Sequence, residues 1–223
     1  MEKKINIFDV EIDGFTAKAA MQAAVRYMQS EPINTIEIVT LDMLMQGQDR
    51  PEWIEKTKEI DLVLPGEKEI LEAAEAEDRN LLKDVSNELF LKMFLRYLQR
   101  NHKKVFLIAG SDEELEGMKS ALEKYNKGVA VAGEGVLDPE GKAVEEIINE
   151  VNGVETDCIL SVLPSPQQEE FIVANSALLN ARIWLGCGKT LARLYGKRSE
   201  GIVRRFLLKK VFRYRVGRQK REN

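Results

Sequence analysis

Residues 157–188 read DCILSVLPSPQQEEFIVANSALLNARIWLGCG, and the order of residue types predicts strand, polar loop, helix, strand and glycine turn. Cys158 to Leu163 is an apolar run of the right length for a strand buried on both faces of a parallel sheet, and Pro164 and Pro166 end it by removing backbone donors. Gln167, Gln168 and Glu169 fall in the first turn of the helix that follows. That places them beyond the carboxyl end of the strand, where open α/β sheets hold ligands. Ile183 to Leu185 is the next strand, and Gly186 and Gly188 let a backbone come close to whatever sits there. The same pattern also describes an ordinary βαβ unit with a proline loop.

Working outward, apolar runs predict further strands at Ile5–Val10, Thr35–Val39, Asp61–Leu64, Val105–Ala109 and Val129–Ala132. Between them helical spacing is clearest over Ser86–Arg100 and Asp112–Tyr125. Strands alternating with helices predict an α/β fold, a parallel sheet flanked by helices. In Ser86–Arg100, Leu89, Met93, Phe94 and Tyr97 recur as a core-facing stripe. Ahead of Tyr125, Ser111 or Asp112 can cap a helix, and Glu113 and Glu114 favour the positive end of its dipole, which argues against a phosphate there. Gly133-Glu134-Gly135 lacks the third glycine of a dinucleotide fingerprint and is read as a turn, and Gly188-Lys189-Thr190 lacks the preceding glycine of a P-loop.

With 223 residues, 44% hydrophobic and 31% charged, the chain is long enough for one domain with a sizeable core. Cys158 and Cys187 both lie in apolar settings without C-x-x-C spacing, so buried reduced thiols are expected. His102, the only histidine, sits in a polar turn and is read as a surface residue. One histidine and two separated cysteines predict no zinc site, while magnesium held by carboxylates stays open on the residues alone. No apolar run is long enough to span a bilayer and the first ten residues lack a signal-peptide stretch, so a cytoplasmic protein is expected.

The net charge of −4 hides a split: residues 193–223 hold twelve Lys or Arg against Glu200 and Glu222, a tail of +10 on a body of −14. Such asymmetry implies an anionic partner. Paired basic residues, Arg204, Arg205, Lys209, Lys210, Arg213 and Arg215, alternate with Phe206, Leu207, Val211 and Tyr214, the composition of a helix lying in a membrane interface. On a helical wheel Ile202, Val203, Phe206, Leu207 and Val211 share one arc, on which Lys210 and Arg213 intrude. Nucleic acid is a rival partner, and a basic helix folded back on the acidic body is a third reading. The expectation carried forward is an anionic lipid surface and no nucleic acid, with a body of residues 1–198 and a basic helical tail of residues 199–223.

Several short motifs, in order, resemble the WecB/TagA/CpsF glycosyltransferases. That family carries a strand-end G-x-P-x-Q-E loop, a helix, and a strand ending in a glycine turn; here Pro166, Gln168 and Glu169 survive, with Gly186 and Gly188 after the next strand. Upstream, Asp13-Gly14 opens the first helical segment, Thr40 ends an apolar strand, Leu62–Pro65 ends another, and Lys103–Met118 matches the central strand, glycine and helix. The resemblance covers roughly residues 9–198. It implies a Rossmann-like sheet, and a UDP-sugar donor with a polyprenyl-diphosphate-linked acceptor. It also implies N-acetylmannosamine as the usual sugar, no metal or other cofactor, and a C-terminal appendage on the inner face of the cell membrane. Assembly into a homo-oligomer is left open.

The chain departs from the family at informative places. Asp42 stands where the family has Asn, Gly66-Glu67 replaces Asp-Gly, Pro164 replaces a glycine, and Lys189 and Ala192 replace a glycine-turn residue and an Asp. An inverting transfer needs a carboxylate to take the acceptor proton and donors to hold the leaving diphosphate. Asp42 and Glu67, at the ends of neighbouring strands, are the candidate bases, although Glu67 also reads as a helix N-terminal acid. Thr40, Gly110, Gln168, Glu169 and Gly186 are the candidate substrate contacts carried over from the resemblance. A pseudoenzyme that keeps nucleotide-sugar affinity without the base is the alternative.

Overall fold

The computed structural model describes residues 4–137, 144–194 and 202–222. The chain opens with β1 (Lys4–Ile7) and β2 (Val10–Asp13), then α1 (Ala17–Tyr27), β3 (Asn34–Val39), α2 (Leu41–Gly47), α3 (Pro51–Lys58) and β4 (Leu62–Pro65). Next come α4 (Lys68–Ala73), α5 (Arg79–Ser86), α6 (Leu89–Arg100), β5 (Lys104–Ala109), α7 (Asp112–Tyr125) and β6 (Ala130–Val136). The chain continues through α8 (Val144–Gly153), β7 (Cys158–Ser161), α9 (Gln167–Asn175), β8 (Ile183–Gly186), α10 (Gly188–Leu194) and α11 (Ile202–Glu222).

Six strands form one parallel sheet in the order β4-β3-β8-β7-β5-β6. The expected α/β architecture is therefore present. Alternate residues feed two cores. Val39, Val63, Phe106, Ile159 and Trp184 face α2, α3, α4, α8 and α9, whereas Ile36, Leu64, Leu107, Leu160 and Leu185 face α1, α6, α7 and α10. Each fully buried side chain of this size contributes about 1.5–3 kcal/mol. Burial on both faces explains why these strands read as continuous apolar runs. The crossover from β3 leads outward to β4 and that from β5 leads outward to β6, in opposite directions. Loops that diverge in this way open a crevice at the carboxyl edge of the sheet.

Three sequence expectations need correction. Ile5–Val10 is not one strand of the main sheet, because Phe8 and Asp9 adopt positive φ (52° and 63°) and turn the chain into an antiparallel β1–β2 hairpin. Asp13 then accepts the Val63 N–H at 2.9 Å and ties that hairpin to the edge strand β4. The helix expected over Ser86–Arg100 begins at Leu89, after a break at Glu88, whose φ is 51°. Gly133-Glu134-Gly135 lies inside β6 rather than in a turn, because Phe106 of β5 packs so closely over Gly133 that a side chain there would strike its ring. Elsewhere the local chemistry holds. Ser111 caps α7 by accepting the Glu114 N–H, both cysteines are free and buried, and His102 is exposed.

The C-terminal α11 lies back on the body. Phe212 and Val216 are buried, Phe212 meets Phe8 edge-on at 5.8 Å between ring centroids, and Gln219 accepts the Phe8 N–H at 3.1 Å. A stripe of cations pairs with acids along α4: Arg205 with Glu67, Lys209 with Glu69, and Arg213 with Glu72 at 2.6 Å. Burial pushes the Glu69 carboxyl up, but the Lys209 ammonium, a backbone N–H and the Lys68 charge together more than offset this and leave it below its ordinary value. On the opposite side of α11, Phe206, Leu207, Val211 and Tyr214 are exposed.

Candidate active site

The carboxyl ends of β3, β4 and β8 meet at one mouth. Thr40 ends β3 and its hydroxyl accepts the Met43 N–H at 3.4 Å, capping α2. This cap places Asp42 in the first turn of α2, where its carboxylate meets the Lys189 ammonium at 3.1 Å. From the neighbouring strand, Gly66 donates its N–H to Val39 O at 2.8 Å, a close approach that a Cβ would obstruct. The chain then turns Glu67 toward α2: one carboxylate oxygen accepts the Leu41 N–H at 3.1 Å and the other lies 3.4 Å from Arg205. Asp42 thus follows directly on the residue whose N–H Glu67 holds, with Lys189 against Asp42, Arg205 against Glu67 and the Thr190 hydroxyl facing Gly66. A small open cleft adjoins this mouth, lined by Gly66 and Thr190 together with Ala17, Asp84, Leu89 and Phe90.

The other candidate contacts lie elsewhere. Gln168 and Glu169 are fully buried beneath the mouth: Gln168 donates to Glu37 of β3 at 2.5 Å, and Glu169 accepts the Ser165 hydroxyl at 2.9 Å. Gly186 makes room for those side chains, since a Cβ there would overlap the Glu37 carboxyl and crowd the Gln168 amide. Gly110 backs onto Pro164 at the end of β5, and its N–H donates to Glu114 at 3.2 Å. Among the described residues no group of three or more His, Cys, Asp or Glu could hold a metal ion, and no helix is long and apolar enough to cross a membrane.

The geometry therefore offers two carboxylates able to take a proton and two cations able to hold a diphosphate, at the ligand-binding edge of a parallel sheet. Comparison with known proteins supplies the family. The sequence profile of the WecG/TagA/CpsF glycosyl transferases matches residues 5–214. The chain belongs to that family. Relatives from Staphylococcus aureus strains COL and MRSA252 are each named N-acetylglucosaminyldiphosphoundecaprenol N-acetyl-beta-D-mannosaminyltransferase. Each is 21% identical over 227 residues, an alignment that covers 97% of this chain and 88% of the relative.

Within this glycosyl transferase, sequence reasoning missed two mouth residues. In sequence Lys189 reads as a departure from a glycine turn and as part of an incomplete P-loop, yet it pairs with Asp42; its signal is a lysine directly after the strand-end glycines. Arg205 was grouped with the cations expected at a lipid surface. Of that set, Arg205, Lys209 and Arg213 face acids of the body, Arg215 stands 3.9 Å from Asp49, and Arg204 and Lys210 are exposed. Glu37 was missed altogether, because a single acid in the strand NTIEIV carries no motif.

Proposed function

We propose that this chain transfers an N-acetylhexosaminyl group, N-acetylmannosaminyl by analogy with the named relatives, from a UDP-sugar to a polyprenyl-diphosphate-linked sugar acceptor. Such a transfer belongs to cell-surface polysaccharide or teichoic acid synthesis. The observation that carries the reading is the meeting of Asp42 and Glu67 with Lys189 and Arg205 at one mouth. Glu67 or Asp42 takes the acceptor hydroxyl's proton as that oxygen attacks the anomeric carbon, and the cations stabilise the departing UDP. The outward face of α11, with Phe206, Leu207 and Tyr214 exposed beside Lys210, rests on the anionic inner face of the cell membrane, where the acceptor resides.

The test is calorimetry with UDP and UDP-N-acetylhexosamines, followed by turnover on a short-chain lipid-linked acceptor. Glu67→Gln and Asp42→Asn identify the base, which should cost on the order of a hundredfold or more in kcat with little change in donor KM. Unchanged rates in both variants would remove the assignment. The catalytically silent alternative draws on one observation: both carboxylates are already engaged by cations. Donor binding without turnover would select it.

A further inference from the structure

Beneath the mouth, on the sheet face covered by α2, α3 and α9, lies a set of buried polar side chains that sugar transfer does not itself call for. Glu37 sits in the middle of β3, fully buried, between Val63 of β4 and Gly186 of β8. One of its oxygens accepts the Gln168 amide N–H, and the other fills the space that a side chain at 186 would occupy. Glu169, the next residue of α9, is fully buried beside it. Among the described residues, the buried side-chain polar atoms without a hydrogen-bond partner all lie on Glu37, Gln168, Glu169, Trp53 and Trp184. A second negative charge in so poorly solvated a place is strongly disfavoured, which favours a protonated carboxyl on Glu37.

This cluster joins the segments that build the mouth. Glu37 is three residues ahead of Thr40 and the Asp42 turn. Gln168 and Glu169 follow directly on the Pro164–Pro166 loop. Gly186 leads into Lys189, which returns to Asp42. We propose that Glu37 is a positioning residue: while it is neutral, it sits between Gln168 and Glu169 without repulsion and clamps the loops after β3, β7 and β8 in one register, and on ionising it repels Glu169 and lets them slacken.

The charged and titratable groups around it favour the neutral form. Burial pushes the Glu37 carboxyl well above its ordinary range, and the Glu169 charge from α9 adds to this, while the Gln168 hydrogen bond works against it. Glu169 is itself raised, by burial first; the Trp53 indole of α3 stands close enough to favour its ionised form without meeting hydrogen-bond geometry. From the turn after β8, the Cys187 thiol is pushed up by burial and then by Glu37; its Sγ lies 3.2 Å from Ser161 O. β4 brings only Val63 to this point. As pH rises, the Glu37 proton passes to solvent and leaves two carboxylates facing each other, with Gln168 unable to bridge both.

The activity so tuned is the transfer proposed above, whereas the clamp is a property of the fold alone. The chain's only two tryptophans flank the cluster: Trp53 beside Glu169, and Trp184 on β8, stacked on Phe171 of α9 at 5.4 Å. Tryptophan emission therefore reads the clamp without any substrate. Titrated from neutral to alkaline pH, the full chain is expected to show an emission step, and kcat a falling limb at the same midpoint, with donor KM changing less than about threefold. Glu37→Gln keeps an acceptor for Gln168 but cannot ionise. It is expected to abolish the emission step and move the kcat limb up by about one pH unit or more. Glu37→Leu, checked for folding by its thermal melt, removes the clamp and is expected to lower kcat by on the order of a hundredfold. An emission step that persists in Glu37→Gln, or a folded Glu37→Leu with unaltered kcat, overturns the inference. A step abolished by Glu37→Gln in a chain that transfers no sugar overturns the transferase reading and leaves the clamp standing.

Discussion

At residue 186 a glycine is imposed from inside the protein, by the carboxyl of Glu37, and not by a ligand approaching from outside. The distinction has a consequence for stability. Glu37 binds its proton more tightly in the folded chain than in the unfolded one. Between the unfolded and folded pKa values the native state therefore holds the extra proton, and stability falls as pH rises through that window. Glu37→Gln removes the titration, so its urea midpoint should exceed that of the parent chain, by a margin that widens from mildly acid to alkaline pH. A margin that does not change with pH would show that Glu37 is ionised in the native state. At this scale the sequence was readable where the chemistry is local. Ser111 stands ahead of a helix, and Thr40, Asp42 and Glu67 stand at strand ends. It was unreadable where partners are distant: Glu37 and Gln168 are 131 positions apart, and a polar first turn ordinarily faces solvent.

Whole elements were read best where one period dominates. The stretch from Asp157 to Gly188 folds as its residue order indicates, β7, α9 and β8, because both strands are buried on two faces and the prolines fix the loop. The hairpin and the start of α6 escaped, since both depend on non-glycine residues at positive φ, a conformation that composition does not announce. The face by which α11 docks escaped for another reason. The apolar arc of its wheel, with Phe206, Leu207 and Val211, points outward. The docked face combines the buried Phe212 and Val216 with Arg205, Lys209 and Arg213 at four-residue intervals opposite Glu67, Glu69 and Glu72. Partly exposed ion pairs contribute at most about 1 kcal/mol each, so the fully buried Phe212 should carry much of the docking energy. Phe212→Ala is expected to cost about 3 kcal/mol or more locally, and to speed amide exchange along α11 by on the order of a hundredfold. Phe206→Ala, on the outward face, should leave that exchange within about threefold, and an equally small effect of Phe212→Ala would mean that docking is ionic.

For the molecule as a whole, the division into an acidic body and a basic tail is visible in composition alone, but composition does not say which charges remain for a partner. The structure divides them: Arg205, Lys209 and Arg213 are taken up by the body, while Arg204, Lys210 and Arg221 are exposed near Phe206, Leu207 and Tyr214. A lipid surface could therefore be engaged without undocking the helix, which would hold the Glu67 mouth close to the bilayer. Each exposed cation near an anionic surface contributes about 1 kcal/mol, and each large apolar side chain that enters the interface adds roughly 1.5–3 kcal/mol. Sedimentation with anionic vesicles should thus be stronger than with neutral ones and should weaken with salt. Replacing Phe206 and Tyr214 by Ser should lower the partition coefficient by on the order of a hundredfold, while Lys209→Gln, whose charge faces Glu69, should change it less than about threefold. If Lys209→Gln weakened binding as much as the aromatic pair, the helix would have to leave the body to reach lipid. If neither did, and deletion of residues 200–223 made no difference, the lipid surface would not be the tail's partner.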